Sequence, residues 1–239
     1  MSGLPVTASQ VLLSTGFAPV ALAPEVAPLP RPRVLLCDLD GTLIDSMPTL
    51  ADLATEVMES TYGTPRILAR ELYLATCGLP FVKQLEEIYP GDPRNAGASD
   101  LFEGRKPARC DEIRMPAETR RALERMRAMG MRIAVSSNNG VSNVQTFARN
   151  AGFAFDLVLG FGEGLAKGRP HIDATSRKFG VDRQEMLFVG DSLHDGEIAE
   201  REGIPFVGLA TTFSPERFAL RFPRVPVIKR FAALPELFQ

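Results

Sequence analysis

The sequence predicts an α/β protein: a Rossmann-like parallel-sheet core with an α-helical cap subdomain inserted after the first strand. Three observations predict it. Val34-Leu35-Leu36-Cys37 is a short apolar run ending on Asp38, the pattern of a strand buried on both faces of a parallel sheet. From residue 116 onward, helical and strand patterns alternate with short links, the signature of βαβ units. Between these regions lie about 70 residues of mainly helical pattern without a strand signal. The resulting division is an N-terminal extension at 1–32, a core at 33–46 and 115–239, and a helical cap at 47–114.

Each element follows from local pattern. Residues 1–32 are rich in Pro and Ala, and six prolines from Pro5 to Pro32 interrupt any regular element, so a poorly ordered extension is expected. No Lys or Arg precedes Arg31, which argues against a secretory signal, and Gly16 and Pro19 break the apolar stretch. After the strand at 34–37, residues 48–61 carry apolar residues at Leu50, Leu53, Val57 and Met58, with Gly63 as a stop. Helices are predicted at 66–76 and 80–89, and residues 90–99 (PGDPRNAGAS) read as a loop. Residues 116–129 form an amphipathic helix: Pro116 fits its first turn, Leu123, Met126 and Met129 make the stripe, and Gly130 ends it. Strands are then predicted at 132–135, 155–159, 186–189 and 206–209. The helices between them are 141–150, 172–179 and 195–201, closed by Gly152, Gly180 and Gly203.

Composition narrows the function. The chain of 239 residues is 45% hydrophobic and 23% charged, enough for a sizeable core. Its 27 Lys+Arg against 29 Asp+Glu leave a net charge of −2, and no basic run points to nucleic acid or to a membrane surface. Three cysteines with no CxxC pair disfavour a disulfide framework or a zinc site and suit a reducing cytoplasm.

In open parallel sheets the chemistry sits beyond the carboxyl ends of the strands. The first strand runs into Asp38-Leu39-Asp40-Gly41-Thr42-Leu43. Two carboxylates two residues apart project to one side, and Gly41 permits a sharp turn. One can act as nucleophile and the other as general acid/base, and a cation is implied to hold both ionised. The second strand ends in Ser136-Ser137-Asn138-Asn139-Gly140, whose hydroxyls and helix-start N–H groups suit a phosphate oxygen. After the third strand, Lys167 lies in a glycine-rich loop from which it can reach a phosphate, with Arg169 as a rival and His171 read as a cap or surface residue. The fourth strand ends in Gly190-Asp191-Ser192-Leu193-His194-Asp195. Asp191 can complete an oxygen-rich Mg²⁺ shell with Asp38 and the backbone carbonyl of Asp40. Asp195 can return to the same site to orient a metal water or Lys167, and His194 reads as exposed.

With DLDGTL-DS at Asp38–Ser46 and VGDSLHD at Val189–Asp195, the chain resembles the haloacid dehalogenase superfamily, in its phosphoglycolate phosphatase-like branch with a helical cap. The resemblance spans about residues 33–210. It implies Asp38 as nucleophile and Mg²⁺ ligand, and Asp40 as general acid/base that binds the metal through its carbonyl. Ser137 with Asn138 would hold the phosphoryl group, Lys167 would pair with it, and Asp191 would bind Mg²⁺ with Asp195 in support. It also marks the helical insert as a lid. Two features depart from the pattern: of the tandem Ser136-Ser137, counting from Gly130 favours Ser137 as the phosphate ligand and leaves Ser136 open, and Lys167-Gly168-Arg169-Pro170 separates Lys from Pro. The implied activity is a Mg²⁺-dependent phosphatase acting on a small phosphorylated metabolite through an aspartyl-phosphate. A phosphomutase of the β-phosphoglucomutase type shares every motif, and a non-catalytic binding or regulatory protein on the same scaffold is the alternative of another class. Five cations of the cap, Arg66, Arg70, Lys83, Lys106 and Arg109, are candidates for contact with an acidic part of the substrate.

Overall fold

The computed structural model describes residues 29–162 and 164–238. The sequence readings on 1–28 therefore lie outside the described residues. Residues 29–32, counted above with the extension, are tied to the other end of the chain. The Leu29 N–H donates to the Leu237 carbonyl at 2.8 Å, and Leu29 packs on the core.

Six parallel strands form one sheet in the order β3-β2-β1-β4-β5-β6. They are β1 (Val34–Cys37), β2 (Arg132–Gly140), β3 (Leu157–Phe161), β4 (Met186–Gly190), β5 (Phe206–Leu209) and β6 (Val227–Ile228). The continuous apolar run of β1 has the expected cause: the strand lies at the centre of the sheet with both faces covered. The period of two divides its side chains. Leu35 and Cys37 enter a core with Leu123, Met126 and Val144, while Val34 and Leu36 enter a second core with Ile172, Ile198 and Phe218. The first core is covered by α5 (Ala117–Ala128), α6 (Val141–Asn150) and a C-terminal 3₁₀ segment (Phe231–Phe238); the second by α7 (Arg169–Phe179), α8 (Leu193–Glu202) and α9 (Pro215–Arg221).

Four helices follow β1: α1 (Met47–Tyr62), α2 (Arg66–Ala75), α3 (Phe81–Ile88) and α4 (Asn95–Cys110). They share a separate apolar core in which Leu53, Val57, Tyr73, Leu85 and Phe102 are buried and the Phe81 and Phe102 rings stack at 4.2 Å. Burying side chains of this size is worth about 1.5–3 kcal/mol each, which stabilises α4 against its weak local propensity. Residues 95–99, read as loop from their Asn, Gly and Ala content, are the first turns of α4. Asn95, 1% exposed, anchors that end: its side-chain amide donates to the Tyr89 carbonyl at 2.9 Å, and the Tyr62 hydroxyl donates to its Oδ1 at 2.8 Å. Ala98, Phe102 and Lys106, spaced by four, are all buried along one face.

Other boundaries also shift. The β2 strand continues through the polar residues to Gly140, and β3 runs to Phe161, two residues beyond its predicted end. The α7 helix begins at Arg169 rather than 172, with Pro170 in its first turn, and α8 begins at Leu193.

Candidate active site

The strands β1 and β4 are adjacent, with Cys37 paired to Val189, so Asp38 and Asp191 leave neighbouring strand tips. The Asp38 N–H donates to the Val189 carbonyl at 2.9 Å, which extends the ladder and fixes where the Asp38 side chain departs. The chain then turns at Gly41, whose φ of 81° is left-handed; a Cβ there would lie 2.1 Å from Asp191 Oδ2, so only glycine fits. The Thr211 hydroxyl donates to the Gly41 carbonyl at 2.6 Å and holds this turn against the segment after β5.

Asp38, Asp191 and Asp195 present carboxylate oxygens within 4.8 Å of one another, and all three residues are buried. Lys167 enters the same point from the glycine-rich loop. Its Nζ donates to Asp38 Oδ1 at 2.5 Å and to Asp195 Oδ1 at 2.8 Å. Asp195 is itself held: its Oδ2 accepts from the Ser192 hydroxyl at 2.6 Å and the Ser192 N–H at 3.2 Å, so both of its oxygens are engaged. The Thr42 hydroxyl lies 3.4 Å from Asp38 Oδ2 and 3.2 Å from Asp191 Oδ1 and can donate to one at a time. Thr212 donates to Asp191 Oδ2.

Burial dominates the electrostatics. It pushes the Asp38 carboxyl up to about 6, against the pull of the Lys167 ammonium, and the Asp195 charge adds to the rise. Asp191 is pushed well above the carboxylate range by burial, then by the charges of Asp38 and Asp195. One ammonium among three buried carboxylates leaves an excess of negative charge that a divalent cation balances, and the donors are all hard oxygens. The residues present therefore fit a divalent metal between Asp38 and Asp191.

Asp40 stands apart from this cluster. Its Oδ1 accepts from Ser46 at 2.7 Å, its Oδ2 from Asn139 Nδ2 at 3.4 Å, and Lys106 Nζ of α4 lies 3.8 Å away. Asp38, Asp40, Ser137, Asn138, Lys167 and Asp191 all line one cavity of about 530 Å³, mouth included, closed on the far side by residues of α2, α3 and α4. Asn138 uses both ends of its amide: Nδ2 donates to the Gly78 carbonyl at 2.8 Å, and Oδ1 accepts from the Lys167 N–H at 3.0 Å. It thereby clips the loop before α3 and the lysine loop to the tip of β2.

The tandem serines separate by the strand's alternation. Ser137 lines the cavity, and its Oγ accepts from the Asn139 N–H at 3.0 Å. Ser136 points to the opposite face, 2.9 Å from His171 Nδ1. His171 is not a cap or surface residue: it is fully buried, and its Nε2 lies 3.2 Å from the Gly160 carbonyl. A carbonyl only accepts, so Nε2 carries the proton and Nδ1 accepts from Ser136. Burial lowers the imidazole to about 4 and keeps it neutral. Ser136→Ala is therefore expected to cost about 1–3 kcal/mol of stability in urea unfolding, from one unsatisfied buried acceptor, with kcat/KM within a factor of about three. Ser137→Ala, which also takes the acceptor from the Asn139 N–H, is expected to show a larger fall in kcat/KM than Ser136→Ala.

Arg169 is not at the site: its side chain is 70% exposed and pairs with Glu202 at 3.2 Å. His194 is half-buried rather than exposed, and burial lowers its pKa. Sequence reasoning missed Thr42, Asn139, Thr211 and Thr212 as partners of the acidic residues. Thr211 and Thr212, two and three residues beyond the β5 tip at Leu209, were the available signal, since each strand tip of such a sheet can reach the site.

The family of haloacid dehalogenase-like hydrolases matches residues 35–209. The chain is 31% identical over 189 residues to a phosphoglycolate phosphatase of Nitrosospira multiformis, covering 74% of this chain and 82% of that one. To a phosphoglycolate phosphatase of Rhodobacter capsulatus it is 29% identical over 181 residues, covering 72% and 82%. Among solved structures, a hydrolase from Pseudomonas syringae superposes with a TM-score of 0.74 at 16% identity, covering 86% of this chain and 97% of that one. A haloacid dehalogenase-like family hydrolase from Streptococcus pneumoniae gives 0.73 at 17%, covering 87% and 99%. The parallel sheet, the acidic residues at its central strand tips and the match across most of the chain lead to one assignment: this protein is an enzyme of the haloacid dehalogenase-like hydrolase family.

Proposed function

We propose that the enzyme is a Mg²⁺-dependent phosphatase that hydrolyses a small-molecule phosphomonoester through an aspartyl-phosphate on Asp38. The observation that carries this reading is Lys167 Nζ, 2.5 Å from Asp38 Oδ1, at a strand tip with Asp191 beside it and Asp40 on the same cavity wall. An Asp38 carboxylate oxygen attacks phosphorus in line, and the ester P–O bond breaks as Asp40 gives its proton to the leaving alkoxide. Asp40 then takes a proton from water, whose oxygen attacks the phosphorus of the acyl phosphate and releases inorganic phosphate and the Asp38 carboxylate. Lys167 and the Ser137 hydroxyl hold the phosphoryl oxygens, with Asn138 placing the Lys167 backbone. Asp195 holds the lysine in position. Asp38, Asp191 and the Asp40 carbonyl would hold the Mg²⁺, which would supply positive charge to offset that of the transferring group.

The helices α1–α4 act as the cap, since their residues line the cavity that holds Asp38 opposite the strand tips, and closure of that cavity over a substrate would exclude bulk water from the acyl phosphate. The relatives make phosphoglycolate the first ester to try. The free cysteines Cys37, Cys77 and Cys110 support a cytoplasmic location. Among the described residues, no helix is long and apolar enough to cross a membrane.

The test is phosphate release from an aryl phosphate and from phosphoglycolate, with Mg²⁺ and with excess chelator. Turnover is expected only with Mg²⁺. Without substrate, Mg²⁺ at about a hundred times its Kd is expected to add about 2.7 kcal/mol of stability in chemical unfolding. Undiminished turnover under chelation, or no stabilisation by Mg²⁺, would sink the metal assignment. Return of the phosphoryl group to a bound sugar phosphate, instead of its release, would identify a phosphomutase.

A further inference from the structure

The segment that follows β5 is tied down residue by residue. The Ala210 N–H donates to the Ile228 carbonyl of β6 at 2.8 Å, and the Thr211 hydroxyl holds the Gly41 carbonyl at 2.6 Å. The Thr212 hydroxyl donates to Asp191 Oδ2, and Phe213, 5% exposed, is packed into the second core. Thr212 is therefore fixed from both sides, and it reaches Asp191 from a different strand end.

The two carboxylate oxygens of Asp191 have different surroundings. Oδ2 faces Thr212 and the backbone of Gly41, where even an added Cβ would lie only 2.1 Å away, so that side is closed. Oδ1 lies 3.2 Å from the Thr42 hydroxyl, which is itself 3.4 Å from Asp38 Oδ2, so Oδ1 is the oxygen turned toward Asp38. The last torsion of an Asp side chain is broad, and a carboxylate swings about it unless something holds it. Among the described residues, the side chains that donate to Asp191 are Thr42 and Thr212, and Thr42 divides its hydroxyl between two carboxylates. Thr212 is the donor that belongs to Asp191 alone.

We propose that Thr212 is a positioning residue for the divalent ion: it holds the Asp191 carboxylate in one orientation, leaves Oδ1 for the metal, and thereby favours Mg²⁺ over Ca²⁺. Mg²⁺ demands near-octahedral geometry and short bonds, whereas the larger Ca²⁺ accepts variable numbers and angles of oxygen ligands. A carboxylate released to swing therefore weakens the stricter ion first. The proposal rests on the metal reading of the acidic cluster.

The experiment is isothermal titration calorimetry of the folded full-length chain with Mg²⁺ and, separately, with Ca²⁺, in the absence of substrate. Thr212→Val keeps the shape and removes the hydroxyl; Thr212→Ser keeps the hydroxyl. Thr212→Val is expected to raise the Kd for Mg²⁺ about 10- to 100-fold, the usual effect of losing a partner of a metal-ligating side chain. The Kd for Ca²⁺ should rise severalfold less, and Thr212→Ser should stay within about threefold of wild type for both ions. A change below about threefold for Mg²⁺ in Thr212→Val overturns the proposal. An equal loss for both ions also overturns it, because Thr212 then acts through general loosening of the loop and not through orientation. So does a Thr212→Ser variant as weak as Thr212→Val, since the hydroxyl is then not the cause. If Thr212→Val fails to fold, Thr212→Ala takes its place under the same criteria. A wild type that binds neither ion overturns the metal reading beneath the proposal.

Discussion

Asp38→Asn is expected to lower kcat by roughly 10⁴-fold or more while leaving the protein folded, because on the proposed mechanism it removes the attacking atom and little else. The carboxamide is nearly the same size, so the packing beside Cys37 and Val189 is kept. Lys167 loses its contact at 2.5 Å but keeps Asp195 at 2.8 Å, so it stays paired. One fewer buried charge also relieves the repulsion that raises Asp191. The variant is therefore expected to unfold at or above the wild-type midpoint. Steady-state hydrolysis of an aryl phosphate measures the first expectation and chemical unfolding the second. Rapid-quench trapping of labelled phosphate on the protein should succeed with the wild type and fail with the variant. Residual activity above about one per cent would remove Asp38 as the nucleophile.

Lys167→Met reaches both stability and catalysis. The ammonium is the shared cation of Asp38 and Asp195, with side-chain exposures of 3%, 6% and 0% for the three groups, so solvent cannot take its place. Removing one partner of a buried pair costs about 3–5 kcal/mol. The pH dependence has a definite sign. Asp38 already titrates near 6 because of burial, and loss of the lysine pushes it higher. A carboxyl raised in the folded state binds its proton more tightly than in the unfolded chain, so the deficit is small at low pH. It grows as pH rises through and beyond 6. Denaturant unfolding in the presence of a chelator should show a larger deficit at pH 8 than at pH 5, and saturating Mg²⁺ should restore part of it by neutralising the carboxylates. Turnover should fall about 10²- to 10³-fold with Mg²⁺ present, the scale of one lost electrostatic stabiliser. An equal deficit at both pH values would show that the lysine does not compensate these carboxylates.

Much of the site was legible because a parallel sheet turns chain order into place. The apolar run Val34–Cys37 could be buried on both faces only at an inner strand, so Asp38 had to stand at a tip. The same logic placed Asp191 and, with Gly41 demanding a left-handed turn, the geometry around Asp40. Residues 95–99 misled because Asn, Gly and Ala favour turns locally, while the burial of Ala98 and Phe102 against α1 and α3 decides for helix. His171 was misplaced because nothing local distinguishes a helix-start histidine at the surface from one turned under the sheet toward Ser136.

The sequence by itself determined the α/β class, the position of the helical insert and the acidic residues of the strand tips, because those follow from periodicity and from the polarity change at the end of an apolar strand. Only the tertiary structure decided which serine faces the cavity, that Thr42, Thr211 and Thr212 brace the acidic turn, and that Lys106, among the five insert cations singled out, points inward. Those outcomes depend on helix rotation and on contacts between segments distant in the chain, such as Thr211 with Gly41, 170 residues apart, and no local pattern encodes them.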